Sequence, residues 1–171
     1  LGDKSREEYA YLREQGATSY ILKHETADPA LHLRHRFYPL EQRMAHLQDL
    51  LSLGYRVGTG TIVGLPGQTL EMLADDILLA RSLGVHMCSA SPFVPAAGTP
   101  LSEAEPGDVD LTLNALAVMR LVMPAALVLR LRRYGAGQGV PPVILTSRDD
   151  AASHRALAEA IEARCVWRGD D

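Results

Sequence analysis

Three stretches of the chain place side chains or glycines where an α/β protein can bind a small molecule. The first, residues 23–26 (KHET), directly follows a short apolar run at residues 20–22. In parallel α/β folds, functional groups gather at the carboxyl ends of the strands. Glu25 is therefore a candidate acceptor for ribose hydroxyls or an amino group. An ordinary solvated loop explains the segment equally well.

The second stretch, residues 58–69 (GTGTIVGLPGQT), is rich in glycine. It is not a Walker-type phosphate loop, because it contains no Gly-Lys-Ser/Thr, and Val63 stands where the dinucleotide fingerprint requires a third glycine. Glycines inside a strand mark the close approach of a ligand or of another backbone. The pattern favours a flat ring lying on the strand end, and a bulge with a strand–helix turn is the plainer alternative.

The third stretch, residues 91–101 (SPFVPAAGTPL), is a proline-spaced apolar loop that can wall a pocket or serve as a simple crossover. Outside these stretches, Arg43 lies on the first turn of a predicted helix, where a cation opposes the helix dipole. Binding a carboxylate would explain its presence there. Its position alone favours the alternative of a surface ion pair with Glu41 or Asp49.

Alternating helices and strands must position these candidates. The hydrophobic periodicity predicts helices over residues 5–15, 39–53, 69–83 and 149–164, and a further helix that begins at Asp108. Strands are predicted over residues 19–22, 55–63, 85–90, 126–131 and 165–167. Residues 24–38 are predicted to form a polar loop. The expected buried faces are Leu40, Met44, Leu47 and Leu51; Leu70, Leu73, Ile77 and Ala80; and Leu111, Ala115, Val118 and Val122. This order predicts an α/β fold with a parallel sheet. A doubly wound sheet and part of a (β/α)₈ barrel both fit it.

The composition excludes several classes of protein. The chain has 171 residues, a net charge of −4 and two cysteines, which argues against a nucleic-acid-binding surface, a disulfide scaffold and a local cysteine-rich metal site. The two cysteines fit a reducing compartment, and no apolar run is long enough for a membrane span. The scattered histidines predict no metal site, and Asp75-Asp76 is interpreted as a solvated helix face.

Taken in order, the segments resemble the radical SAM superfamily, in its biotin-synthase-like group and nearest to the FeFe-hydrogenase maturase branch. The motifs that carry the resemblance are YLREQGATSYILKHETADPALH, EQR, LLSLGYRVGTGTIVGLPGQTLEMLADDI, SPFVPAAGTPL and LTLNALAVMRLVMP, over about residues 1–125. Methylornithine synthase is a near relative in the same group.

The resemblance implies roles for individual residues around S-adenosylmethionine (SAM). Glu25 would contact SAM, and Arg43 would bind its methionyl carboxylate. The glycine-rich strand, through Gly60, Ile62 and Gly64, would support the adenine. A closing segment at Phe93 and Val94 would complete the adenine pocket. No catalytic residue and no metal ligand is carried over.

One part of the superfamily pattern is missing. The Cys-x-x-x-Cys-x-x-Cys loop that holds a 4Fe-4S cluster in such enzymes does not occur among these 171 residues, whose cysteines are Cys88 and Cys165. Residues 1–125 are therefore expected to form the C-terminal part of a TIM-type radical SAM barrel, and residues 126–171 a divergent α/β tail. The chain is expected to begin partway round the barrel.

The implied activity is reductive cleavage of SAM to a 5′-deoxyadenosyl radical that abstracts a hydrogen atom from a small-molecule substrate. The isolated chain is expected to be inactive, to require a missing N-terminal half or a partner chain, to be cytoplasmic, and to bind neither nucleic acid nor membranes. The alternatives are a relative of biotin synthase or methylornithine synthase, and a non-catalytic, adenosyl-binding or partner-assembled α/β module.

Overall fold

The structure is a computed structural model that describes residues 2–129 of the chain. Its elements are α1 (Arg6–Glu14), β1 (Ser19–Ile21), α2 (Pro29–Arg36), α3 (Leu40–Ser52), β2 (Arg56–Val63), α4 (Leu70–Ser82), β3 (Met87–Pro92), α5 (Val109–Val122) and β4 (Leu127–Leu129). The helix expected over residues 149–164, the strand over residues 165–167 and the divergent tail lie outside the described residues.

The strands form one sheet in the order β1-β2-β3-β4. β1 pairs with β2 and β2 with β3, both in parallel, so that Gly58 lies beside Ile21 on one side and Met87 on the other. The α/β architecture with parallel strands predicted from the sequence is confirmed. The carboxyl ends of these strands meet at one edge of the sheet, where the candidates Glu25, Ile62 and Phe93 lie.

All the described helices except α3, which follows Pro39, begin where a side chain accepts a free backbone N–H group. Ser5 and Glu8 form a reciprocal capping box at α1. The side chains of Asp28, Thr69 and Asp108 each accept a backbone N–H in the first turn of α2, α4 and α5. Those three caps fix the points at which the chain turns back from the strand ends.

The polar loop predicted for residues 24–38 is wrong, because α2 occupies residues 29–36. Its composition, PALHLRHR, is polar enough to hide the helical period. Two features favour the helix: Asp28 accepts the N–H of Leu31 at 2.7 Å, and Pro29 supplies a preset φ in the first turn. A short capped helix therefore follows the KHET segment.

The predicted helix faces are partly wrong. The buried sets are Leu40, Arg43, Leu47 and Leu50 on α3; Leu73, Asp76, Ile77 and Ala80 on α4; and Thr112, Ala115, Leu116 and Met119 on α5. α5 is apolar around most of its circumference, so the period alone could not choose the buried side. On α3 and α4 a charged residue takes a buried position.

The two faces of β2 have different roles. Thr59 and Thr61 are fully buried under the helices. Gly58 and Gly60 alternate with them and point to the opposite face, where an added Cβ at Gly60 would lie 2.4 Å from the backbone oxygen of Ser89. A side chain at Gly60 would therefore collide with β3.

We expect Leu47→Ala to lower the free energy of unfolding by about 2–5 kcal/mol, because Leu47 is fully buried on the helix that carries Arg43. Leu33→Ala, at a position with 51% exposure, should stay within about 0.5 kcal/mol of the wild type. Urea unfolding of the 171-residue chain measures both. Equal losses would contradict the placement of α3 against the core.

Candidate functional site

The backbone of Glu25 adopts a conformation that L-residues rarely take. Its φ is +68°, in the left-handed region. Its N–H donates to the Gly60 oxygen at 2.9 Å, and its carbonyl accepts from the Ile62 N–H at 3.0 Å and from the Thr61 hydroxyl at 2.7 Å. These bonds extend the pairing of β1 and β2 and hold Glu25 in the strained conformation.

The Glu25 carboxylate lies among polar groups at the carboxyl edge of the sheet. The Lys23 ammonium is 3.5 Å from Glu25 Oε2 and donates to the Ser91 hydroxyl at 3.1 Å. Oε2 is buried and accepts no hydrogen bond. A buried carboxylate oxygen with remaining acceptor capacity is suited to a ligand that brings its own donor.

Asp76, on α4, joins the elements beneath this edge. Its Oδ1 accepts the backbone N–H of Ala27 at 2.5 Å, and its Oδ2 lies 2.6 Å from the Thr61 hydroxyl oxygen. The residue is fully buried, and this burial raises the pKa of its carboxyl. The predicted solvated face at Asp75-Asp76 is therefore wrong for Asp76 and holds for Asp75, which is exposed.

Gln68 closes the turn that follows β2. Its Oε1 accepts the Gly64 N–H at 2.7 Å, and its Nε2 donates to the Ile62 carbonyl and to Asp76 Oδ2, each at 3.0 Å. These partners fix the orientation of the amide. The Gly-Leu-Pro-Gly-Gln turn is thereby tied to the same buried carboxylate that holds residues 25–27.

A cavity of about 170 Å³ opens at this edge. Its walls come from the KHET segment, α2, the end of β2, the β2–α4 turn and the loop after β3, through Glu25, Thr26, His35, Arg36, Ile62, Leu65, Phe93 and Leu101. Leu31, Leu65 and Phe93 pack together behind it. The cavity thus has an apolar wall and a rim of charged and polar groups.

Arg43 lies outside this lining and is nearly fully buried, with 3% exposure. Its Nη1 donates to Asp3 Oδ1 at 2.7 Å, its Nη2 donates to the Tyr38 hydroxyl, and its Nε donates to nothing. Burial lowers the pKa of the guanidinium. The alternative of an ion pair with Glu41 or Asp49 is wrong, because Arg43 pairs with Asp3, and Asp49 pairs with Arg6 at 2.5 Å.

Two of the scattered histidines, His24 and His32, are fully buried. Burial lowers the pKa of both rings, that of His24 to about 3, so both are neutral near pH 7. His32 Nδ1 lies 3.1 Å from the Tyr38 carbonyl, and His24 Nδ1 lies 2.9 Å from the Thr59 hydroxyl. Both Nε2 atoms are buried without a partner.

These contacts indicate the two tautomers. A carbonyl only accepts, so His32 Nδ1 carries the hydrogen and Nε2 is a free acceptor. The Thr59 hydroxyl already accepts the backbone N–H of His24 at 3.2 Å. In the tautomer in which the Thr59 hydroxyl donates a hydrogen bond to His24 Nδ1, the ring hydrogen is on Nε2, which is then a donor without a partner.

The structure brings together only some of the residues predicted to bind a cofactor. Glu25, Ile62 and Phe93 line the cavity, and Arg43 is absent from its lining. Gly60 packs against Ser89, and an added Cβ at Gly64 would lie 2.5 Å from the Gly107 Cα, so close backbone contacts account for both glycines. Val94 is 73% exposed and does not line the cavity.

Sequence reasoning missed Thr61, Gln68 and Asp76. A signal was present for Asp76, since it falls on the apolar face of α4 with Leu73, Ile77 and Ala80. A carboxylate in such a row needs buried donors, which the Ala27 N–H and the Gln68 amide supply.

Residues 2–129 do not fit an iron–sulfur cluster. They contain a single cysteine, Cys88, which is buried in β3 with its thiol pKa raised to about 11 by burial. Within this range, no group of three or more His, Cys, Asp or Glu side chains is arranged to hold a metal ion. The described helices also include none long and apolar enough to cross a membrane.

The chain has similar sequences among curated proteins. It is 42% identical over 125 residues to the FeFe-hydrogenase maturase subunit HydE of Thermotoga maritima, which covers 72% of this chain and 36% of that protein. It is 30% identical over 141 residues to biotin synthase from Rippkaea orientalis, covering 81% of this chain and 36% of the relative. The chain thus spans little more than a third of these relatives. No family model matches it.

The chain is also similar to solved structures. Methylornithine synthase (PylB) superposes with a TM-score of 0.69 and 25% identity, over 74% of this chain and 38% of that one. Elp3 from the archaeon Methanocaldococcus infernus superposes with a TM-score of 0.68 over 94% of this chain and 39% of that one. At 18% identity, the second likeness shows the fold alone.

The raised pKa of Asp76 predicts how an Asp76→Asn variant compares with the wild type. The folded state holds the Asp76 proton more tightly than the unfolded chain does, so this contribution to stability is present at low pH and is lost as pH rises through the folded pKa. The stability deficit of Asp76→Asn should therefore shrink from pH 4.5 to pH 8, as measured by urea unfolding. Exposed Asp75→Asn is the control, and a deficit that grows with pH would contradict the assignment.

Proposed function

We propose that this chain, which belongs to the radical SAM superfamily, forms the SAM-binding side of a barrel enzyme of that superfamily. The observation that carries the proposal is a set of four buried polar atoms without hydrogen-bond partners. They are His24 Nε2, Glu25 Oε2, His32 Nε2 and Arg43 Nε. They belong to the KHET segment and to the two helices that follow it.

The four atoms suit an α-amino acid group. Arg43 Nε carries a hydrogen and can donate to a carboxylate, as can His24 Nε2 in the tautomer whose Nδ1 accepts from Thr59. Glu25 Oε2 and His32 Nε2 have lone pairs and can accept from an ammonium group. Beyond burial, the charges of Arg43 and Glu25 both act on the pKa of His32, so these groups lie within electrostatic range of one another.

The cavity supplies a place for the rest of the ligand. Ile62 and Phe93 give it an apolar wall against which a flat ring can lie, and Glu25 lies at the same opening, where it can accept from a ribose hydroxyl. Pockets for whole ligands run to about 300–1,000 Å³. A cavity of 170 Å³ is therefore sized for one part of SAM.

When bound beside a reduced 4Fe-4S cluster, SAM supplies radical chemistry by reductive cleavage of its sulfonium group. This chain's own residues orient the amino acid part through Glu25 and Arg43, and Phe93 shields the ring from water. The cluster needs thiolates that Cys88 and Cys165 cannot provide on their own. We therefore propose that a further segment or a partner chain supplies them, in a reducing, cytoplasmic setting.

Within the superfamily, we propose a maturase-like role, because the 42% identity to the FeFe-hydrogenase maturase subunit exceeds the 30% identity to biotin synthase. A small-molecule substrate would then enter from the same strand edge. Biotin synthase-like and methylornithine synthase-like activities are the alternatives. A non-catalytic adenosyl-binding module is a second candidate, favoured by the presence of only two cysteines.

We expect the 171-residue chain to bind SAM in calorimetric titrations and Glu25→Gln to weaken that binding about 10- to 100-fold, because a charged hydrogen bond contributes about 1.5–3 kcal/mol. Exposed Glu103→Gln, in the loop after β3, is the matched control and should bind as the wild type does. No binding by the wild type, or equal binding by the Glu25 variant, would overturn the proposed site.

Anaerobic reconstitution with iron and sulfide separates binding from catalysis. We expect the isolated chain to show no SAM-cleaving 4Fe-4S centre by electron paramagnetic resonance and product analysis, because its two cysteines cannot ligate one. Formation of 5′-deoxyadenosine and methionine by this chain alone would contradict that expectation.

A further inference from the structure

We infer that Asp76 is a positioning residue for Glu25 and that it acts through the hydroxyl of Thr61. The ligand role of Glu25 belongs to the proposed function, and the inference deepens that proposal. Asp76 lies on α4 behind the sheet and does not line the cavity. Any effect it has on a ligand must therefore pass through the residues that it holds.

Two contacts, one at the Glu25 carbonyl and one just after it in the chain, lead to Asp76. The Glu25 carbonyl accepts from Thr61 Oγ1, which lies 2.6 Å from Asp76 Oδ2. Two residues further along the chain, the Ala27 N–H donates to Asp76 Oδ1 at 2.5 Å. One carboxyl group thus anchors the turn directly at Ala27 and, through one hydroxyl, at Glu25 itself.

The strained backbone of Glu25 needs contacts such as these to keep its conformation. A left-handed conformation is strained for an L-residue such as glutamate, and it persists only where surrounding bonds enforce it. If the Thr61 link is lost, the backbone can relax toward negative φ. The direction of the Cα–Cβ bond would then change, and the carboxylate would move away from the cavity.

The burial of Asp76 also requires explanation. A fully buried carboxyl is costly unless donors compensate it, and a leucine at this place on α4 would extend the row of Leu73, Ile77 and Ala80. Its polar partners are the donor N–H of Ala27, directly after the KHET segment, the Thr61 hydroxyl on β2 and the donor amide of Gln68 in the turn after β2. These three pieces all border the cavity, which connects the buried group to the site.

The first test needs no ligand. In NMR spectra of the 171-residue chain, the three-bond HN–Hα coupling and the amide exchange rate of Glu25 report its φ and its bond to Gly60. We expect Thr61→Val to change the coupling and to speed amide exchange about tenfold, the effect of losing about 1.4 kcal/mol of protection. Thr61→Ser keeps the hydroxyl and should restore both values.

Two comparisons make this test decisive. Exposed Asp75→Asn should leave the Glu25 signals unchanged, and Asp76→Asn should disturb them together with the amide of Ala27. A Thr61→Val chain that stays folded and keeps the wild-type coupling and exchange rate at Glu25 would overturn the inference. Equal disturbance by Thr61→Ser would overturn it as well, since the hydroxyl would then not be the link.

The second test measures SAM affinity by calorimetry in the same variants. We expect Thr61→Val to weaken binding about tenfold and Thr61→Ser to stay within about twofold of the wild type. Wild-type affinity in Thr61→Val would overturn the positioning role. If the wild-type chain does not bind SAM at all, the proposed function fails, and the NMR arm still decides whether Asp76 holds Glu25.

Discussion

The candidate site depends on one constraint, the left-handed backbone of Glu25, held by hydrogen bonds to Gly60, Thr61 and Ile62. These bonds continue the parallel pairing of β1 and β2 past the end of β1. A glutamate that would otherwise lie in a free loop becomes part of the sheet edge. Its carboxylate can then face the cavity from a rigid support, as ligand recognition requires.

The two faces of β2 have different roles: the helix side supports the candidate site, and the opposite side borders it. The threonines on the helix side reach buried polar partners, Thr59 at His24 and Thr61 at Asp76. The glycines on the other side let neighbouring chain approach closely, as Gly60 does with Ser89 and Lys23. An alternation that reads as Gly-Thr-Gly-Thr in the sequence thus places a polar support under the site and lets β3 and Lys23 pack closely on the opposite face.

Over the described residues, the sequence was sufficient for the order of the strands and of every helix except α2, because caps and glycines mark their ends. It was also sufficient for placing Glu25, Ile62 and Phe93 at one strand edge. The sequence was insufficient where contacts between distant segments determine which residues are buried or paired. α2 was missed because its composition is polar, and Arg43 was given Glu41 or Asp49 as a partner, since contact with Asp3 depends on how distant segments meet. Asp76 was judged solvated for the same reason.

The measurement that tests the central claim most directly is NMR shift mapping of the labelled 171-residue chain during titration with SAM. The account predicts that the saturable changes concentrate at Glu25, Ile62 and Phe93, with the side-chain Nε–H of Arg43 shifting in the same titration. Saturable changes confined to other parts of the chain, or none at all, would contradict the assignment of this strand edge as the binding site.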